Sequence, residues 1–365
     1  MADERHLAIL KRGVEEWNRW RKQNPEITPD LSRSNLINKD LSRADFNAVN
    51  LSGADLSKAQ LSHASLHGAN LESATLILAD LLGAILNEGN LSAASLFGAF
   101  LFGTRLKGAD LRGANLMGAS LMGADLSSAD LEGAHLMGAN FHEANLAKAN
   151  LKGANLTAVS LVGAKIDGTI LSDCSVYGVS ACNLEGSPKL QANLVITPQG
   201  ESPIMVDDLE TAQFVHLLIA GKKTSLILET VQSRLILVLG NFTTDRGPVL
   251  DSIRACLKQN DFTPVVVHLM PPVNRDIENK IRLLSKYVRF VLADFTESKA
   301  VLRLLDHFES ELTGVPVQTL FRTSAMEISL PESKAQSPYL HSPVAYRDAE
   351  DLRGQLQQLL SSEFS

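Results

Sequence analysis

Cysteine is nearly missing from this chain: Cys174, Cys182 and Cys256 are the three in 365 residues. So small, odd and unpatterned a set supports neither a disulfide framework nor a zinc site. No apolar run approaches the roughly 18 residues needed to span a bilayer. The opening MADERHLAILKRGVEEW is too charged for a secretory signal. Positive charge is not in surplus either; the formal net charge is −7. General attraction to nucleic acid or to an anionic membrane is therefore not expected. There is no GxGxxG, no Walker loop and no metal-ligand cluster. What remains is 45% hydrophobic and 21% charged, a composition that fits a soluble cytoplasmic protein of two or three domains.

What is present is a period of five. From Leu31 to Val176, thirty positions in unbroken register hold Leu, Phe, Ile or Val. Two residues before each stands a small residue, usually alanine, as in Ala44, Ala54, Ala59 and Ala164. Glycine often precedes it, as in Gly108-Ala109-Asp110-Leu111. Five matches neither the helical period of 3.6 nor the strand period of 2. It suits a chain that turns a corner every five residues, with four sides closing a square coil of 20. Large side chains and alanines then alternate inward and fill a narrow interior. Coils stacked about 4.8 Å apart give a rod about 35 Å long.

The A(D/N)Lxx motif over this span resembles the pentapeptide-repeat family. The resemblance implies a right-handed quadrilateral β-solenoid, expected over 27–185.

Equal coils place residues 20 apart on one face. The residue after each central position points outward. One face then carries Ile77, Phe97, Met117 and Met137. The next carries Leu82, Phe102, Met122, His142 and Val162, with Phe100 and Leu78 nearby. Equivalent positions elsewhere are mostly polar. A contiguous apolar stripe of this kind marks an interface, either with another part of this chain or with a protein partner, a second copy included. A DNA-mimic inhibitor of type II topoisomerases, known among pentapeptide-repeat proteins, is the weakest reading. Residues 28–185 hold 15 acidic and 10 basic residues, net −5, and the basic ones interrupt every acidic face.

Solenoids need caps. Residues 4–22 read as one amphipathic helix, carrying both tryptophans, Trp17 and Trp20, as a lid within a capping segment 1–26. Residues 186–232 read as a connector whose stretch 207–221 is helical.

From 233 to 365 strands alternate with helices. The expected strands are 234–240, 263–269, 288–295 and 315–321. The expected helices are 247–259, 275–287, 297–312 and about 345–361. Such alternation implies a parallel sheet, and its order suggests a flavodoxin-like α/β domain. In these sheets the carboxyl ends of the strands line any site. Those ends gather Gly240, Thr243, Asp245, Arg246, Arg275, Asp276, Asp294 and Thr296, an anion- or nucleotide-binding set whose alternatives are caps, turns and ordinary ion pairs.

The strand–GxFT, ProPro–xx–ArgAsp and AlaAsp–x–Thr pieces resemble the TIR-like α/β domains found behind pentapeptide repeats in bacterial proteins. Enzymatic TIR domains cleave NAD with a glutamate on the helix after the third strand. That position falls near Leu304 here, which leaves Glu297 and Asp294 as candidate acids. The resulting expectation is a non-catalytic assembly scaffold with a TIR-like signalling or self-association module and no required cofactor. The alternative is an assembly-activated NAD glycohydrolase using NAD or another nucleotide.

Overall fold

The computed structural model describes residues 2–219, 234–269, 275–296, 301, 304, 315–323 and 340–363. The chain divides into two compact units, Met1–Leu194 with Asp208–Gln213, and Val195–Asp207 with Phe214–Ser365.

In the first unit each five-residue repeat is one side of a square coil. Parallel bridges join every such side to the residue 20 further on, without a break from Asp30↔Asn50 to Lys165↔Glu185. Around Gly108-Ala109-Asp110-Leu111 the local chemistry is plain. Ala109 N donates back to Leu106 O at 3.0 Å, closing a turn whose third residue, Gly108, has φ +66°. Type II turns require that positive φ, which accounts for glycine before the alanine. Asp110 Oδ1 then accepts the Arg112 amide at 3.1 Å, so Asp or Asn before the leucine fixes the next corner. Leu111 N donates to Asp130 O at 2.7 Å in the following coil. The central residues and the alanines are buried together along the whole rod.

The expected single N-terminal helix is in fact two, α1 (Glu4–Leu10) and α2 (Val14–Gln23). Gly13, at φ +112°, breaks the run. The break turns α2 so that Trp17 is fully buried, with its ring 5.6 Å from that of Phe46. At the far end the apolar pattern stops at Val176, yet coiling continues. Strand β1 (Ile170–Ser172) pairs in parallel with β2 (Leu190–Ala192), inside the stretch expected to be a connector. Backbone pairing needs no particular side chain, so the coil outlasts its motif. Ala181 N donates to Gln213 Oε1 at 2.9 Å, and Leu209 N to Gln191 Oε1 at 3.0 Å. The start of α3 (Leu209–Ile219) thereby closes the last coil.

The second unit is built on a sheet. After the short β3 (Leu194–Val195) come β4 (Ile204–Val206), β5 (Leu235–Gly240), β6 (Thr263–His268), β7 (Phe290–Asp294), β8 (Val317–Arg322) and β9 (Leu340–Tyr346), in the spatial order β3-β4-β6-β5-β7-β8-β9. From β6 to β9 all neighbours are parallel. Strands β5 and β7 are buried throughout, as expected for strands covered on both faces. On one face, α4 (Gly247–Gln259) and α6 (Ala349–Glu363) set Ile253, Leu257, Leu352 and Leu356 against Ile236, Val238, Phe290 and Leu292. Helix α5 (Arg275–Ser285) connects β6 to β7.

Two strands lie where none is expected, and one of them departs from the all-parallel arrangement. β4 lies antiparallel to β6, so the sheet is mixed. β9 spans a stretch for which no strand is expected, and its last two residues, Ala345 and Tyr346, fall where the final helix is expected to begin; that helix starts only at Ala349. Its alternation is irregular, and its register against β8 shifts between Gln318 and Leu320, close to Pro343; a bulge is where a strand accommodates proline.

Candidate functional site

The apolar stripe is where equal coils put it. Leu78 N, Gly98 N and Gly118 N donate to the carbonyls of Phe97, Met117 and Met137 in turn. Gly83, Gly103 and Gly123 do the same for Phe102, Met122 and His142. Phe97 is 46% exposed, Phe102 53%, Leu82 39% and Met137 40%. Ile77, Met117 and Met122 are half-buried in the same columns. Phe100, bridged to Asp80 in the coil before, is 54% exposed. The Phe97 column also ends in Ile37 and Tyr177, each 36% exposed. Counting on by twenties would have found both; polar Ser57 and Thr157 interrupt the column. Leu78 sits at φ +56° with its Cδ2 above Gly98, where an added Cβ would lie 2.9 Å from it. A bulky residue at positive φ costs about 1–2 kcal/mol, and here it stands exposed on the ridge. α1 and α2 engage the first coil around Asp30 and Arg43–Asn47, leaving the ridge open within the rod unit.

At the carboxyl ends of β5 and β7 the structure brings together Arg246, Asp294 and Thr296. Arg246 Nη2 donates to Asp294 Oδ2 at 2.6 Å and to the Tyr346 hydroxyl. Tyr346 in turn donates to Asp294 Oδ2 at 2.7 Å. Thr296 N donates to Asp294 Oδ1 at 2.9 Å, and Arg322 N to Thr296 Oγ1 at 2.8 Å. All four side chains are buried. Burial, and then the facing Asp294 carboxylate, push the Tyr346 pKa up, so its hydroxyl stays protonated and can donate. Sequence reasoning missed Tyr346, because β9 itself was missed.

The other expected site residues have separate places. Gly240 ends β5, where a Cβ would lie 2.5 Å from the Phe242 ring; that ring has the Arg246 guanidinium 5.9 Å from its centre. Thr243 donates to Asp245, which holds the exposed Asp245 carboxyl below the usual range. Arg275 and Asp276 open α5, where Asp276 pairs with Lys280 at 2.7 Å. Glu297 lies outside the described residues. Among the described residues no helix is long and apolar enough to cross a membrane, and no group of His, Cys, Asp or Glu is placed to hold a metal ion.

Comparison with curated proteins finds no match. Among solved structures the chain is similar to HetL, a pentapeptide repeat protein involved in heterocyst differentiation regulation in Nostoc sp. strain PCC 7120. The identity is 29%, over 47% of this chain and 90% of that one, with a TM-score of 0.26. A pentapeptide repeat protein of the Arabidopsis thaliana thylakoid lumen is 33% identical over 26% of this chain and 69% of its own, with a TM-score of 0.23. QnrB1, a plasmid-mediated fluoroquinolone resistance protein, is 17% identical over 44% and 92%, with a TM-score of 0.29. The family model for pentapeptide repeats matches in 8 copies within residues 30–173. With its repeats in register from the first coil to the last, the chain belongs to the pentapeptide-repeat family.

Proposed function

We propose that this protein is a non-catalytic interaction scaffold that self-associates through the apolar ridge of its rod. Pentapeptide repeat proteins generally work by binding other proteins, and the rod here is a rigid array of evenly spaced side chains. The observation that carries the reading is the exposure of Phe97, Phe100 and Phe102 beside Leu78 and Leu82. Contiguous exposed apolar side chains of this number are an interface signature.

The α/β unit serves as a TIR-like signalling or self-association module in this reading. Its β6-β5-β7-β8-β9 order is the 2-1-3-4-5 order of flavodoxin-like sheets. The NAD glycohydrolase alternative loses support at Asp294. That carboxylate is taken up by Arg246, Tyr346 and the Thr296 amide, so it acts as a strut for the sheet ends.

Light scattering on the full chain tests the scaffold reading. The wild type is expected at a multiple of the 39.5 kDa chain mass, and Met117→Asp with Phe102→Asp at the monomer mass. A monomeric wild type, or a variant of unchanged mass, sinks it. Sustained release of nicotinamide from NAD that is lost on Glu297→Gln would establish the enzyme instead.

A further inference from the structure

Half of the rod's first coil is closed by groups of the N-terminal segment, side chains and one backbone amide, that stand in for a preceding coil. Trp17 Nε1 donates to Asp45 O at 2.8 Å and Arg21 Nη2 to Asn47 O at 2.8 Å. Asn18 gives a bond to Arg43 O and takes one from Asp45 N. His6 Nδ1 accepts the Asp30 amide at 3.2 Å, and Asp3 N donates to Asp30 O at 3.0 Å.

The side from Asn35 to Asp40 has no such cover. In later coils the amide just before each central residue donates to the coil beneath, as Asp55 N does to Ser34 O and Gln60 N to Lys39 O. Asn35 and Asp40 hold this position in the first coil. Both are exposed, and their amides donate to no described residue. Such an open edge is a template for a further strand.

Chemistry for an occupant surrounds it. Between α1 and the coil lies a cavity of about 170 Å³, walled by Leu7, Leu10, Leu36 and Leu41. Lys11 and Lys39 stand on its lining, and neither forms an ion pair among the described residues. Asp40, the one carboxylate there, is engaged by the Ser42 amide at 3.1 Å. The site thus offers unpaired backbone donors, an apolar hole and net positive charge.

We propose that this edge binds an extended acidic peptide of a partner protein, which adds to the first coil as an additional side. Its carbonyls receive the Asn35 and Asp40 amides, one aliphatic side chain enters the cavity, and its carboxylates face Lys11 and Lys39. The small–acidic–aliphatic order that builds the rod is the order such a guest needs. The edge lies at the foot of the ridge's own columns, with Ile37 two coils below Ile77 and Asp40 in the column of Asp80 and Phe100. It is read through the amides of 34–42 and through Lys11 and Lys39, not through Met117 and Phe102, so the two readings are tested separately.

The probe is a labelled synthetic peptide of residues 123–132, Gly-Ala-Asp-Leu-Ser-Ser-Ala-Asp-Leu-Glu, titrated into the full chain by fluorescence anisotropy. Hydrogen exchange of segment 34–42 is read by mass spectrometry in parallel. Saturable binding is expected, with slowed exchange at Asn35 and Asp40. Lys11→Glu with Lys39→Glu, both on the surface, is expected to weaken binding about tenfold. A scrambled peptide that binds equally well, or binding that leaves the exchange of 34–42 unchanged, overturns the proposal. So does protection of that segment without peptide that grows with protein concentration, since it would assign the edge to a second copy.

Discussion

Arg246 Nη2 and Asp294 Oδ2 lie 2.6 Å apart, with side chains 5% and 0% exposed. Two full charges removed from water hold together only if their remaining hydrogen-bonding capacity is met. Tyr346 and the Thr296 amide meet it for Asp294, and the carbonyls of Thr296 and Asn241 accept from Arg246 Nη1 at 3.2 and 3.4 Å. Three strand ends, β5, β7 and β9, are tied by this one cluster.

Breaking it from one side leaves a buried charge alone. Asp294→Asn is expected to lower the unfolding free energy by about 3–5 kcal/mol in urea titration. Arg246→Met with Asp294→Leu removes both charges and is expected to lie much closer to wild type. Equal losses in the single and double variants would refute the pair's role.

Gly240 is needed for closeness rather than for backbone freedom. A methyl group there meets the Phe242 ring at 2.5 Å. Gly240→Ala is expected to cost about 1–3 kcal/mol, and Phe242→Leu in the same chain to recover part of it. Thermal unfolding of the three proteins checks the coupling.

Leu78 is exposed at φ +56°, a conformation glycine adopts without strain. Leu78→Gly is expected to stabilise the rod by about 1 kcal/mol while weakening self-association in light scattering. A variant that is more stable and equally associated would remove Leu78 from the ridge.

His268 gives the α/β unit a pH dependence. Its Nδ1 accepts the Phe242 amide at 2.9 Å, which requires the neutral ring, and burial holds its pKa below 6.5. The unfolded chain therefore takes up a proton near pH 6.5 that the folded chain refuses. Stability is complete above that pH and falls as the pH drops through the window below it. His268→Gln is expected to flatten the slope of unfolding free energy between about pH 7 and 5. An unchanged slope would place the titration elsewhere.

The rod was legible because each repeat carries its own instructions. Leucine and alanine mark the inside, and Asp or Asn fixes the corner in many repeats. The third residue of the turn takes the positive φ, as glycine in many repeats and as other residues, Leu78 among them, in the rest. The ridge followed by counting, since Phe97 and Met117 need only equal coils to share a face. The second unit was legible where strands are continuous apolar runs, as at 235–240 and 290–294. It was not legible at β9, whose proline and polar residues carry no strand period, or at β4, three residues long inside a turn-rich stretch.

The sequence alone therefore determined the coil, its inward and outward residues and the place of the apolar columns, because every contact that sets them recurs at a fixed distance along the chain. Tertiary structure alone decided that Arg246, Asp294 and Tyr346 meet, and that Asn35 and Asp40 are left at an open edge. Those outcomes depend on which strands become neighbours and on how two short helices turn at Gly13, and no local period encodes either.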